Sequence, residues 1–118
     1  MAYTIIYKGH FDSAHYLTGY PGKCQNLHGH RFNYEVWIGC LELNQIGIAI
    51  DFNEVKDLLK VIEDKIDHKC LNDVLPSNPT AENLAKWMFD ELGKILERGK
   101  IVKVIVWESD NAGVEYKL

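Results

Sequence analysis

The stretch HGHRFNYEVWIGCLEL (28–43) decides the fold. Phe32, Tyr34, Val36 and Ile38 take alternate positions, with Asn33 and Glu35 between them. A period of two sends successive side chains to opposite faces, so the segment predicts a strand with one face on a core. Upstream, AYTIIYKGHFDSAH (2–15) is rich in β-branched and aromatic residues and predicts another long strand. The intervening LTGYPGKCQNL (17–27) carries Gly-Tyr-Pro-Gly and reads as a loop.

Downstream, Asn44-Gln45 signals a turn, and GIAIDF (47–52) is either a short strand end or the lead into a helix. Val55, Leu58, Leu59, Ile62 and Ile66 then recur at helical spacing, with Asp51 or Asn53 as the candidate N-cap. This helix runs out near Asp67-His68. CLNDVLPSNP (70–79) is a loop ending in proline, before Thr80 as the next N-cap candidate. Leu84, Met88, Leu92, Ile95 and Leu96 share a face of a second helix that stops at Gly99. IVKVIVWE (101–108) and GVEYKL (113–118), split by the turn signal Asp110-Asn111, complete four strands.

The order strand, strand, helix, helix, strand, strand predicts one α+β domain over 1–118, a four-stranded antiparallel sheet with both helices on one face. The run from Ile101 to Trp107 is apolar on both faces apart from Lys103, and an open sheet leaves two unpaired edges. Both features predict a homo-oligomer in which subunits join edge to edge into a closed β-barrel.

With 47% hydrophobic and 25% charged residues, the 118-residue chain has an ordinary globular composition. Its net charge of −4, without blocks of like charge, argues against a nucleic-acid partner or a membrane surface. Cys24, Cys40 and Cys70 cannot all pair within one chain, and MAYTIIYKGHFD lacks the apolar core of a signal peptide. Reduced thiols and a cytoplasmic location are expected.

His28 and His30 lie two apart in a strand and so point to the same side, where both imidazoles can reach one Zn²⁺ at about 2.0–2.1 Å. Strand 2–15 offers His10 or His15 as a third ligand; five apart, they face opposite ways, and only one can serve. Three imidazoles leave a fourth position for water or substrate, as a catalytic zinc site requires. Cys24 can close that site as a fourth ligand, stand beside it as a thiolate base, or pack as a small apolar group. Adjacent residues on a helix do not face one another, so Asp67-His68 is no self-evident dyad. Glu108 is either an exposed strand end or a buried anchor for a ligand's N–H groups.

FDSAH (11–15), C-x₃-H-G-H (24–30), GIAIDFNEVK (47–56), DHKCLN (67–72), PTAENLA (79–85) and Glu108 together resemble the 6-pyruvoyltetrahydropterin synthase family, over almost the whole chain. The resemblance implies the tunnelling fold, with subunits of four strands and two helices forming a barrel in trimers or hexamers. It implies zinc on His15, His28 and His30, with Cys24 as the catalytic base. It makes Asp67 and His68 an acid–base pair given to a neighbouring subunit, and Glu108 the grip on the pterin's amino-pyrimidinone edge. Thr80 borders the pterin pocket. The implied substrate is dihydroneopterin triphosphate, and Lys23, Arg31 and Lys69 are the candidate phosphate contacts. The compact chain and LHGH (27–30) look most like the 6-carboxytetrahydropterin synthase branch, which releases acetaldehyde in the queuosine pathway; the alternative branch eliminates triphosphate to a pyruvoyl product. Two further alternatives are a closed structural zinc domain and a pterin or purine binder without chemistry.

Overall fold

A computed structural model describes residues 1–118. Its elements are β1 (Tyr3–His15), β2 (His28–Cys40), α1 (Phe52–Ile66), α2 (Ala81–Ile95), β3 (Lys100–Trp107) and β4 (Gly113–Lys117). The sheet runs β1-β2-β3-β4, every neighbour antiparallel. β1 and β2 pair without a break from Tyr3↔Cys40 to His15↔His28.

Alternation sets which side chains enter the core. Phe11 and Ser13 on β1, Phe32, Tyr34, Val36 and Ile38 on β2, and Val104 and Val106 on β3 are all buried. Against that face α1 lays Val55, Leu59, Ile62 and Ile66, and α2 lays Leu84, Ala85, Met88, Phe89 and Leu92. Each large apolar side chain so buried stabilises the fold by roughly 1.5–3 kcal/mol before entropy is counted. Asp51 caps α1 by accepting from Asn53 N at 2.8 Å, and Thr80 caps α2 by accepting from Asn83 N at 3.1 Å. Such a cap is worth about 0.5–2 kcal/mol.

Two boundaries differ from the sequence reading, and one open alternative closes. β2 stops at Cys40, because Tyr3 of β1 and Lys100 of β3 are the last partners on either side; Leu41 to Leu43 are exposed. Of the two alternatives for GIAIDF, the lead into a helix holds: Asn44 Oδ1 accepts from Ile46 N and Ile48 N, both at 3.0 Å, and the chain turns into the Asp51 cap of α1. α2 ends at Ile95, not Gly99. Gly99 instead turns the chain into β3 with φ of 77°, where a Cβ would sit 2.7 Å from Gly39 O.

The sheet face away from the helices is partly covered by its own side chains. The indoles of Trp37 and Trp107 approach the two oxygens of Glu35 at 3.4 and 3.5 Å. Lys103 Nζ lies 3.9 Å over the Trp37 ring and 2.9 Å from Glu115. Ile6 and Val102 remain exposed, and β1 and β4 each have one strand neighbour. No helix is long and apolar enough to cross a membrane.

Candidate metal and pterin site

Strand parity builds the site. His15 continues the inward-facing series Phe11, Ser13 on β1, and His28 and His30 extend the inward series of Phe32 and Tyr34 on β2. Cross-strand register sets His15 opposite His28 and Ser13 opposite His30, so three imidazoles meet with ring centroids 4.6 to 5.2 Å apart. His10 falls on the other parity and is exposed. The choice that strand geometry left open is thus made by the fold: His15 joins the group.

Two of the rings are oriented from behind. His15 Nδ1 lies 2.8 Å from Pro79 O, and His28 Nδ1 lies 2.7 Å from Asn26 O. A carbonyl can only accept, so each Nδ1 carries the proton and each Nε2 keeps its lone pair. The Nε2 atoms of all three histidines are buried without a hydrogen-bond partner. Burial pushes the His30 imidazole below its ordinary range; the Glu108 carboxylate opposes that shift, while His15 and His28 reinforce it. Phe32 forms an apolar floor, its ring 5.5 Å from those of His15 and His30.

Glu108 follows β3, and its N–H donates to Ala112 O across the turn into β4. Its Oε1 stands 3.2 Å from both His15 Nε2 and His30 Nε2, and neither contact is a hydrogen bond. The four ligand atoms of His15, His28, His30 and Glu108 all lie within 4.8 Å of one another. Orphaned, buried, pre-aimed imidazole nitrogens with one carboxylate fit a divalent metal of the zinc type. The sequence reading offered Glu108 as an exposed strand end or as a ligand anchor, and missed its closeness to the histidines.

Cys24 sits half-buried in a single 3₁₀ turn, Lys23–Gln25, and its sulfur is not among the atoms that meet at the histidines. Asp67 and His68 correct an expectation. α1 ends at Ile66, Asp67 is extended, and His68 takes a φ of 57°, so the two side chains do face each other: Asp67 Oδ2 lies 3.0 Å from His68 Nδ1. The exposed His68 is held by backbone as well, its N–H donating to Asp12 O at 2.6 Å. Thr80 is occupied as the cap of α2, directly after the Pro79 carbonyl that orients His15. Of the basic candidates, Arg31 is paired with Asp12, and Lys69 Nζ donates to Asp64 O at 2.9 Å.

Known proteins resemble this chain over most of its length. The sequence model described as 6-pyruvoyl tetrahydropterin synthase matches residues 4–118. A 6-carboxy-5,6,7,8-tetrahydropterin synthase of Aquifex aeolicus is 35% identical over 123 aligned positions, covering 80% of this chain and 76% of its own. A dihydroneopterin monophosphate aldolase of Pyrococcus furiosus is 34% identical over 112 positions, covering 94% of each. The solved 6-pyruvoyl tetrahydropterin synthase of Caenorhabditis elegans superposes with a TM-score of 0.87 at 25% identity, over 98% of this chain and 95% of that one. The chain belongs to the 6-pyruvoyl tetrahydropterin synthase family, and its four-stranded sheet with two helices is the fold of those enzymes.

Proposed function

We propose that this chain is a zinc-dependent lyase that converts 7,8-dihydroneopterin triphosphate and water to 6-carboxy-5,6,7,8-tetrahydropterin, acetaldehyde and triphosphate, in the queuosine pathway. The observation that carries the reading is the convergence of three orphaned imidazole nitrogens on Glu108, at the place where the family resemblance puts metal and pterin. His15, His28 and His30 hold the metal through Nε2. Zinc bound there supplies a Lewis acid for the hydroxyls of the substrate side chain.

The remaining steps belong to the chain itself. Glu108 accepts hydrogen bonds from the amino-pyrimidinone N–H groups and fixes the ring against the histidines. Thr80 borders that pocket. Cys24, as thiolate, takes the proton from the carbon beside the ring C=N bond. Asp67 accepts from His68 Nδ1–H, which leaves Nε2 free to return protons. His68 serves the site of an adjacent subunit in a trimer or hexamer built by joining the β1 and β4 edges. The three free cysteines suit a reducing, cytoplasmic setting.

A second reading rests on alignment length. The Pyrococcus relative needs only 112 positions to cover 94% of both chains, so almost nothing is inserted or deleted, whereas the Aquifex alignment spends 123 positions on 80% of this chain. An aldolase on dihydroneopterin monophosphate would break the C1′–C2′ bond, leaving a hydroxymethyl pterin and glycolaldehyde phosphate. The test is incubation of the zinc-loaded protein with each phosphate ester, followed by mass analysis of pterin and aldehyde. Acetaldehyde with a carboxypterin supports the first reading; a hydroxymethyl pterin with a phosphorylated two-carbon aldehyde replaces it by the second. A pyruvoyl product without aldehyde refutes both. Light scattering that returned a monomer at micromolar concentration would refute the shared site.

A further inference from the structure

We propose that Arg31 and Asp12 position the Asp67–His68 pair, Arg31 by cancelling a carboxylate that otherwise competes with Asp67 for His68. This rests on the reading that Asp67 and His68 move protons. Asp12 and Arg31 are cross-strand partners on the open face of the β1–β2 hairpin. Arg31 Nε and Nη2 donate to the two oxygens of Asp12 at 2.9 and 3.2 Å, the two-point geometry that only a guanidinium offers. The Asp12 backbone meanwhile grips both members of the pair: its N–H donates to Asp67 Oδ1 at 3.0 Å, and its carbonyl accepts from His68 N. Ser13 and Ala14 continue the attachment, Ser13 Oγ donating to Ile66 O and Ala14 N to Lys69 O. Residues 66–70 are thereby stitched to the strand that ends in His15.

Ligand atoms of Asp12, Asp67 and His68 come within 4.8 Å of one another. That is close enough for a cation, but Arg31 already occupies both Asp12 oxygens, so the cluster is not a metal site. The bonded guanidinium holds the Asp12 carboxyl below its ordinary range, which keeps it ionised. Without Arg31 two carboxylates would flank one imidazole. A bare unit charge at that distance, even in water, biases the placement of Asp67 and His68 about fivefold.

The test is turnover of the zinc-loaded oligomer, with metal content and unfolding midpoint measured alongside. Arg31→Ala should keep its metal and lower kcat roughly five- to twenty-fold with little change in KM. Asp12→Asn added to Arg31→Ala should recover most of that loss, because it removes the stray charge and leaves the Asp12 backbone in place. An ion pair that served only as a strand staple predicts no recovery, and that result overturns the proposal. In a His68→Ala background, Arg31→Ala should cost nothing further; an equal loss in both backgrounds also overturns it. Full activity in His68→Ala alone would instead remove the proton-transfer reading of the pair.

Discussion

Cys24→Ala separates a base from a ligand, and the structure sets what it should and should not change. The thiol sits in a one-turn 3₁₀ segment, half-buried, and contributes no atom to the group formed by His15, His28, His30 and Glu108. Removing one sulfur there opens no core cavity, so the stability change should stay below about 1 kcal/mol, as for most substitutions outside a packed core. The local backbone has its own anchor, since Cys24 O accepts from Leu17 N at 2.7 Å. Metal should therefore remain at one equivalent per chain, and a pterin should still bind through Glu108.

Turnover should not survive. A positioned acid–base group is worth about 10²–10⁴-fold, which is roughly 3–5 kcal/mol of barrier height. The assay is kcat under saturating substrate, with zinc measured by elemental analysis on the same sample. Loss of zinc together with activity would make the thiol a ligand and the site closed, and the proposed chemistry would fail. Undiminished kcat with zinc in place would move the proton abstraction to another group.

His28→Ala should lose most bound zinc with the unfolding midpoint nearly unchanged, because His28 lies at the partly exposed start of β2; elemental analysis that finds full occupancy would end its assignment as ligand. His15→Ala should lose the metal and also cost about 1–3 kcal/mol in denaturant titration, since it strips the Pro79 carbonyl of its only side-chain partner in a fully buried position. Asp67 is held below its usual range first by the Asp12 N–H and then by His68, so its contribution is complete above the unfolded value of 3.8 and disappears as pH falls below it. An acid titration of wild type against Asp67→Asn should accordingly show the difference at pH 6 and lose it under strongly acidic conditions. Gly9→Ala would place a Cβ 2.3 Å from the Tyr34 hydroxyl, whose ring is buried, and should lower stability by about 1–3 kcal/mol in thermal unfolding.

The parts of the fold that were legible in the sequence are those that depend on periodicity. Phe32, Tyr34, Val36 and Ile38 could face only one way, and Val55 to Ile66 could line only one side of a helix, so tertiary structure had nothing to overrule. Boundaries were less legible because they depend on partners. β2 stops where Tyr3 and Lys100 run out, a length that no residue at 41–43 encodes, and Asn44 organises GIAIDF through its own side chain. In the site, parity alone found His28 and His30 and narrowed the third histidine to two. The Asp12–Arg31 pair was hidden because a cross-strand ion pair is visible only once the register is known. Asp67 and His68 are no self-evident dyad from helix geometry at the end of α1; the left-handed His68 turns them together.

The antiparallel topology explains why a chemical site and a core coexist in so short a chain. β1 ends at His15, β2 begins at His28, β3 hands over to Glu108, and α2 starts just after Pro79, so three strand ends and one helix start meet at one end of the sheet. The packed side chains lie along the rest of the sheet, with Phe32 as the last apolar layer beneath the imidazoles. Polar groups placed there avoid the cost of burying charge in the middle of the core, and the three histidines are set by strand register. The Glu108 carboxylate is the one member delivered by a turn, partly exposed and bonded to no histidine. It can therefore exchange its approach to the imidazoles for the N–H edge of a ligand without disturbing the three nitrogens that Pro79, Asn26 and the strands hold in place.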